Sequence, residues 1–141
     1  MDVKQLSKEF DEALEKRDYR EILGFFHEEC EIEILNKVLR GKKGAEKWLD
    51  WLYENAPKIR FEPSVIISEE NTFYEEFYAI VTLENGTEIR SHQAETLIYE
   101  DNKLKTLRVF LNPLDFSEIV AKDPFSNWIL KTIKKKAVKG L

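Results

Sequence analysis

The apolar positions along the chain change their period several times, and each period indicates a type of secondary structure. In residues 3–14 they recur three and four residues apart, as on one face of an amphipathic helix. The same spacing predicts two further helices, over residues 19–26 and 45–56. Between these two helices, residues 30–35 alternate between apolar and charged side chains, which is typical of a half-buried strand, and a second short strand ends at Gly41.

The middle of the chain is rich in strand patterns separated by short turns. Asn85-Gly86 is the strongest hairpin signal, because both residues accept the positive φ angles of a tight turn. After Asn112-Pro113 the pattern becomes helical again, and Asp123-Pro124 is a typical helix start. The four predicted strands cover residues 59–68, 72–83, 87–99 and 103–111.

This order of elements predicts an α+β fold. Long strands joined by tight turns form a mostly antiparallel sheet, and strands of this length bend strongly. Helices that precede such a sheet pack on one of its faces. We therefore expect a cone-shaped sheet wrapped around the N-terminal helices, with a pocket inside and an extra helix at the C-terminus. Residues 1–121 form the predicted domain, and residues 122–141 form a helix that belongs to it.

Composition excludes several classes of protein. The chain has 141 residues, of which 43% are apolar, enough for the core of one domain. Its net charge of −5 argues against a domain that binds nucleic acid by neutralising phosphates. A single cysteine, Cys30, and the lack of any metal-ligand cluster or glycine-rich phosphate loop predict no metal and no cofactor. Because neither a signal peptide nor a membrane-spanning segment is recognisable, we expect a cytoplasmic protein.

Several local stretches resemble the nuclear transport factor 2-like superfamily, which includes SnoaL-like polyketide cyclases, ketosteroid isomerases and limonene epoxide hydrolases. The similar stretches are residues 19–34, the step from Arg40-Gly41 into the third helix, and the hairpin over residues 95–110. Asn102 stands where the family usually has glycine in that hairpin, and asparagine also accepts a positive φ angle. The resemblance runs from the first helix to about Val120 and implies the cone-shaped fold described above.

The resemblance to ketosteroid isomerases leaves one of their three catalytic groups in place. A steroid isomerase needs a base to move a proton and donors that stabilise the dienolate oxygen. The family's base falls on Ile34 and its tyrosine donor on Phe10, and only its acid has a counterpart, Glu95. The known steroid isomerase mechanism is therefore not expected.

The other two branches are matched incompletely as well. The arginine and first aspartate of the epoxide hydrolases fall on Glu76 and Tyr78, and their second aspartate falls on Asn112. The SnoaL-like cyclases pair a histidine with an acid, for which His92 and Glu95 are the counterparts. Strand alternation places these two residues on opposite faces of the sheet, so a direct dyad is not expected.

Strand alternation also predicts the contents of the pocket. Glu95 is the expected acid or base, and residues two apart along each strand share its face. A few polar groups in an apolar shell are the usual anatomy of a small-molecule site. The expected substrate-binding residues are Glu76, Tyr78, Gln93, Arg108 and Asn112, under a lid that contains Trp48, Leu52 and Phe10.

Two functions remain open on this evidence. The first is a SnoaL-like isomerase, cyclase or hydrolase that acts on a small or polycyclic apolar substrate by acid–base chemistry at Glu95. The second is a non-catalytic interaction domain whose pocket is filled by Phe10, Trp48, Tyr78 and Phe110. Because burying a single charge is costly, an ion pair between Glu95 and Arg108 is favoured over a catalytic pair. Apolar residues on both faces of the strands predict a homodimer through the sheet in either case.

The C-terminal segment differs from the rest of the chain in charge. Residues 122–141 contain six lysines and one aspartate, a local charge of +5. Their apolar residues form one helical stripe with lysines beside it, a pattern that binds membrane surfaces or acidic partners. One short helix gives weak membrane affinity without a second signal. We therefore expect the stripe to dock on protein rather than on a membrane.

Overall fold

The structure is a computed structural model that describes all 141 residues. Its internal contacts separate two compact units, Met1–Leu111 and Asn112–Leu141. No helix is long and apolar enough to cross a membrane. The prediction that the domain runs to residue 121 stays a prediction.

The first unit contains three helices and six strands, which confirms the predicted α+β class. The helices are α1 (Val3–Lys16), α2 (Tyr19–Phe25) and α3 (Gly41–Asn55). The strands are β1 (Phe26–Ile34), β2 (Lys37–Arg40), β3 (Lys58–Glu69), β4 (Thr72–Thr82), β5 (Glu88–Glu100) and β6 (Lys103–Phe110). β1 begins four residues earlier than predicted, since Phe26 pairs with Leu104 of β6 rather than extending the second helix.

The six strands form one curved, mixed sheet in the order β2-β1-β6-β5-β4-β3. Only β1 and β6 pair in parallel, and all other neighbours are antiparallel. We call the face that packs against α1 and α3 the inner face, and the opposite one the outer face. On β4, Phe73, Phe77 and Ala79 are buried on the inner face, and they form part of the core.

Local sequence explains where the elements begin and end. Asp2 caps α1, because its carboxylate accepts a hydrogen bond from the backbone N–H of Gln5 at 3.1 Å. Arg17, with a φ angle of 58°, ends the helix. The turn between β5 and β6 has positive φ angles at both Asp101 and Asn102, which is the geometry of a type I′ hairpin. The predicted tolerance of asparagine at this turn is thus confirmed.

The second unit consists of a short 3₁₀ turn (Pro113–Phe116), α4 (Ser117–Val120) and α5 (Pro124–Ala137). Asp123 caps α5 by accepting a hydrogen bond from the backbone N–H of Ser126 at 2.9 Å, as the Asp-Pro pair predicted. Within α5 the rings of Phe125 and Trp128 stack with their centroids 6.3 Å apart.

Candidate functional site

Three carboxyl groups from distant parts of the first unit meet on the inner face. Asp11 comes from α1, Glu75 from β4 and Glu95 from β5. One carboxylate oxygen of each lies within 4.8 Å of the other two. Glu75 is 1% exposed and Glu95 is 7% exposed, while Asp11 is partly exposed. We call these three residues the carboxyl cluster.

The backbone geometry explains why these groups meet. Glu75 and Glu95 are direct register partners in the antiparallel pair β4–β5, so their side chains leave the sheet side by side. On α1, Ser7, Phe10 and Asp11 are spaced three and four residues apart and lie on the face that packs against the sheet. The cluster is therefore held by one helix and two central strands, which are rigid elements.

Burial raises the pKa of all three carboxyl groups, and repulsion from neighbouring carboxylates adds to it for Asp11 and Glu95. For Glu95 and Asp11, desolvation is the main cause, and the neighbouring carboxylates add to it, so both pKa values lie well above their usual range. For Glu75, desolvation raises the pKa to about 7, although hydrogen bonds from Glu95 and Asp11 act in the opposite direction. No basic side chain is among the groups that shift these pKa values.

These directions assign a protonation pattern to the cluster. Glu75 accepts hydrogen bonds from its two neighbours, so its carboxylate is the first of the three to ionise. Glu95 and Asp11 keep their protons to higher pH and act as the donors. Near neutral pH the cluster thus holds one ionisable base between two carboxylic acids. When the cluster is deprotonated, its carboxylate oxygen atoms are also the type of ligand that hard divalent cations bind.

Two buried hydroxyl groups lie close to the cluster. The phenol oxygen of Tyr99 is 2.9 Å from the hydroxyl oxygen of Ser7, a hydrogen bond between β5 and α1. Burial is the main cause that raises the pKa of Tyr99, and the three carboxylates add to it. Tyr99 therefore stays a neutral donor throughout the range in which the cluster titrates.

Glu95 and Gln93 share the inner face, as predicted. Gln93 donates a hydrogen bond from Nε2 to the hydroxyl oxygen of Ser91 at 3.3 Å. The role of both residues in binding or catalysis remains a prediction.

Glu76 and Tyr78 lie on the outer face, so the prediction that they share the face of Glu95 is wrong. Tyr78 is paired with His92 and stacks on it with ring centroids 4.7 Å apart. Glu76 accepts a hydrogen bond from the phenol of Tyr74 at 3.0 Å. The alignment with the family assigned the residues of β4 to the wrong faces of the sheet. A shift of one residue is enough for this, because it moves every side chain of a strand to the other face.

Arg108 also lies on the outer face, and the predicted ion pair with Glu95 is wrong. Its register partner on β5 is Thr96, whereas Glu95 pairs with Val109. The guanidinium Nε instead lies 3.1 Å from a carboxylate oxygen of Glu33 on β1. The carboxyl cluster is thus left without a cation.

Phe10 and Trp48 belong to the buried aromatic core of the first unit. Their rings stack with an interplanar angle of 16° and centroids 6.4 Å apart, and Phe26 meets both rings edge-on. Phe110, by contrast, is 60% exposed on the outer face, so it does not fill the interior. Tyr78 does not fill it either.

Asn112 lies in the second unit. Because β6 ends at Phe110, strand alternation does not extend to Asn112. Its side-chain oxygen accepts a hydrogen bond from the backbone N–H of Leu114 at 3.1 Å and caps the 3₁₀ turn.

The sequence analysis missed Asp11 and Glu75. A signal for Glu75 was present, because it lies two residues after Phe73 and two before Phe77, and alternate residues of a strand point to the same face. Asp11 directly follows the core residue Phe10, at the border of the apolar stripe of α1. Helix periodicity alone does not tell whether a carboxylate at such a border faces solvent or the interior.

Solved structures share this fold. The chain superposes on AclR from Streptomyces galilaeus, described as a proposed hydroxylase, with a TM-score of 0.72 and 17% identity, over 86% of this chain and 96% of that one. It superposes on a nuclear transport factor 2-like protein of unknown function from Burkholderia pseudomallei with a TM-score of 0.73 and 14% identity, covering 82% and 95%. It superposes on SalBIII, described as an epoxide hydrolase/cyclase-like enzyme in pyran ring formation, with a TM-score of 0.70 and 18% identity, over 79% of this chain and 92% of that one.

Sequence comparison points to the same group. No curated protein matches the chain. The SnoaL-like domain family, however, matches residues 8–106, which contain β1 to β5, the first half of β6 and all three members of the carboxyl cluster. The chain therefore belongs to the SnoaL-like domain family, within the nuclear transport factor 2-like fold.

Proposed function

We propose that this protein is an acid–base enzyme that cyclises or isomerises a small, neutral, largely apolar molecule. The observation that carries the proposal is the carboxyl cluster: three carboxyl groups within 4.8 Å of one another, two of them buried, and without a cation. Structural carboxylates in a core are normally paired with a cation, because burial of an unpaired charge is costly. Carboxyl groups with raised pKa values are the usual tools of general acid–base catalysis near neutral pH.

The cluster divides the two roles between neighbours. Glu75, the first group to ionise, acts as the base, and Glu95 or Asp11, which keep their protons, act as the acid. In an epoxy alcohol, Glu75 takes the hydroxyl proton while the hydroxyl oxygen bonds to an epoxide carbon. The carbon–oxygen bond of the epoxide breaks, and the epoxide oxygen receives the proton of Glu95. A proton then returns from Glu75 to Glu95 within the cluster, so no co-reactant is consumed.

The surroundings of the cluster support an apolar substrate. The inner face presents aromatic and aliphatic side chains, among them Phe77 and Leu97, and Tyr99 adds a neutral hydroxyl group. Three carboxyl groups without a cation disfavour an anionic substrate. The description of SalBIII as an epoxide hydrolase/cyclase-like enzyme is compatible with this chemistry in the same fold.

The test is to incubate the protein with a panel of substrates in deuterated buffer and to monitor their conversion by NMR. The panel contains epoxy alcohols that close to tetrahydrofurans or tetrahydropyrans, and unsaturated cyclic ketones whose isomerisation exchanges a proton with solvent. We expect Glu75→Gln and Glu95→Gln each to lower the rate of a converted substrate by about 100-fold or more. Glu76→Gln, next to Glu75 but on the outer face, is the matched control and should keep the wild-type rate. Conversion of no compound, or an unchanged rate in Glu75→Gln, would contradict the proposal.

A second candidate is a non-catalytic homodimeric domain that associates through the outer face. It is favoured by exposed apolar side chains on that face, Val65, Ile67 and Phe110, which are 41%, 59% and 60% exposed. Burial of such side chains against a second copy would stabilise a dimer. Sedimentation of the purified protein at micromolar concentration tests this association, and a strictly monomeric mass would refute it. A dimer with wild-type conversion in the assay above would show that both properties coexist.

A further inference from the structure

Trp48 carries the only buried polar side-chain atom in the chain that lacks a hydrogen-bond partner. This atom is the indole Nε1, and the side chain is 4% exposed. The indole N–H is a donor only, so an acceptor oxygen or nitrogen must satisfy it. Native proteins leave few buried donors unpaired, because the loss of hydration is not compensated. The Nε1–H of Trp48 is therefore available to an acceptor atom from outside the chain.

The indole of Trp48 contacts α1, the helix that carries Asp11. Trp48 stacks on Phe10, and Phe10 directly precedes Asp11 in the same helix. Phe26 meets the indole edge-on at a centroid distance of 6.0 Å. The indole ring therefore packs among aromatic rings of α1 and β1, on the face of the sheet that also holds the three carboxyl groups.

We propose that the Nε1–H of Trp48 donates a hydrogen bond to a neutral ligand oxygen, such as the carbonyl or epoxide oxygen of the molecule on which the cluster acts. This inference rests on the proposed function and adds the chemical class of the ligand. An anionic ligand is disfavoured, because a molecule on which the cluster acts meets three carboxyl groups that have no compensating cation. A hydrocarbon offers no acceptor at all. The oxygen of a neutral ketone or epoxide satisfies the donor, and the surrounding rings cover the apolar part of the ligand.

Three probes of similar shape test the ligand class. They are 2-acetylnaphthalene, a neutral ketone; 2-isopropenylnaphthalene, in which a methylene group replaces the oxygen; and 2-naphthoate, an anion. Dissociation constants are measured by titration calorimetry for the wild type, for Trp48→Phe and for Trp51→Phe. Trp51 lies on the same helix and is 37% exposed, so its variant is the matched control.

The wild type should bind the ketone more tightly than either other probe. Trp48→Phe keeps an aromatic ring but removes the donor, and it should weaken ketone binding by about 5- to 20-fold. Its affinity for 2-isopropenylnaphthalene should stay within about 3-fold of the wild type. Trp51→Phe should bind all three probes as the wild type does. An equal loss for the ketone and the hydrocarbon would overturn the proposal, since it would assign Trp48 to packing alone.

A second measurement uses the wild-type protein and does not require a Trp48 variant to fold. In protein labelled with ¹⁵N at tryptophan, the three indole N–H signals are assigned with Trp51→Phe and Trp128→Phe. We expect the Trp48 proton signal to move downfield on addition of 2-acetylnaphthalene and to stay in place with 2-isopropenylnaphthalene. No downfield shift with the ketone, or tightest binding of 2-naphthoate, would overturn the proposal.

Failure of this inference can be distinguished from failure of the proposed function. If the ketone does not bind while the carboxyl cluster titrates near neutral pH and the substrate panel is converted, only the role of Trp48 is lost. If the cluster shows no raised pKa, the acid–base proposal fails, whatever the probes do.

Discussion

Replacement of Glu75 by glutamine removes the most readily ionised group of the carboxyl cluster and should change the pH dependence of stability. In the folded protein the pKa of Glu75 is about 7, against a usual value of 4.5. Between these two values the folded chain binds more protons than the unfolded chain, so the free energy of unfolding falls as pH rises. The stabilising contribution is fully present below pH 4.5 and is lost as the pH passes through 7.

The size of this effect follows from the same two values. One pH unit of differential protonation is worth about 1.4 kcal/mol. Integrated from pH 5 to pH 8, the titration of Glu75 lowers the free energy of unfolding of the wild type by roughly 2–3 kcal/mol. Glutamine has nearly the same shape and stays neutral, so Glu75→Gln lacks this slope. The variant should resemble the wild type near pH 5 and be more stable by roughly 2–3 kcal/mol at pH 8.

Urea denaturation of both proteins at several pH values between 5 and 8, at constant ionic strength, measures the difference. Glu76→Gln is the control, because Glu76 is adjacent in sequence but lies on the outer face, where its carboxylate is partly exposed. Its slope should match that of the wild type. Parallel pH profiles for the wild type and Glu75→Gln would refute the assignment of a raised pKa to Glu75 and, with it, the protonation pattern of the cluster.

Two further predictions test the packing and the register of the first unit. A Cβ atom added at Gly44 would lie 2.9 Å from the backbone carbonyl carbon of Leu39, so Gly44→Ala should lower the free energy of unfolding by about 1–3 kcal/mol in urea titrations. At Gly24 an added Cβ atom would meet no atom beyond the local backbone within 4 Å, so Gly24→Ala should be neutral or stabilising by up to about 1 kcal/mol. An equal loss of stability in both variants would contradict the close approach of Gly44 to Leu39. Arg108→Ala removes a partly exposed pair with Glu33 and should cost less than about 1 kcal/mol. It should leave the pH slope of stability unchanged, and a changed slope would mean that Arg108 acts on the cluster after all.

The sequence by itself determined the elements and most of their order. The change from helical spacing to alternation, the Asn85-Gly86 turn and the Asp101-Asn102 turn are local signals, because they depend on backbone preferences and on residues a few positions apart. They were sufficient for the α+β class and the long antiparallel strands, whereas the choice of Glu95 as an inward-facing acid came from the family resemblance. Membership of the family followed from the order of these same elements.

The tertiary structure alone decided which polar side chains meet. Asp11, Glu75 and Glu95 come from a helix and two strands that are distant in sequence, and only the register of β4 against β5 brings the two glutamates together. Glu75 and Glu76 are adjacent in the chain, yet one is in the cluster and the other on the outer face, because strand side chains alternate. A sequence pattern shows that side chains alternate between two faces, but only the packing of the core decides which face is buried. A shift of one residue in the strand register therefore changes which side chains form the candidate site.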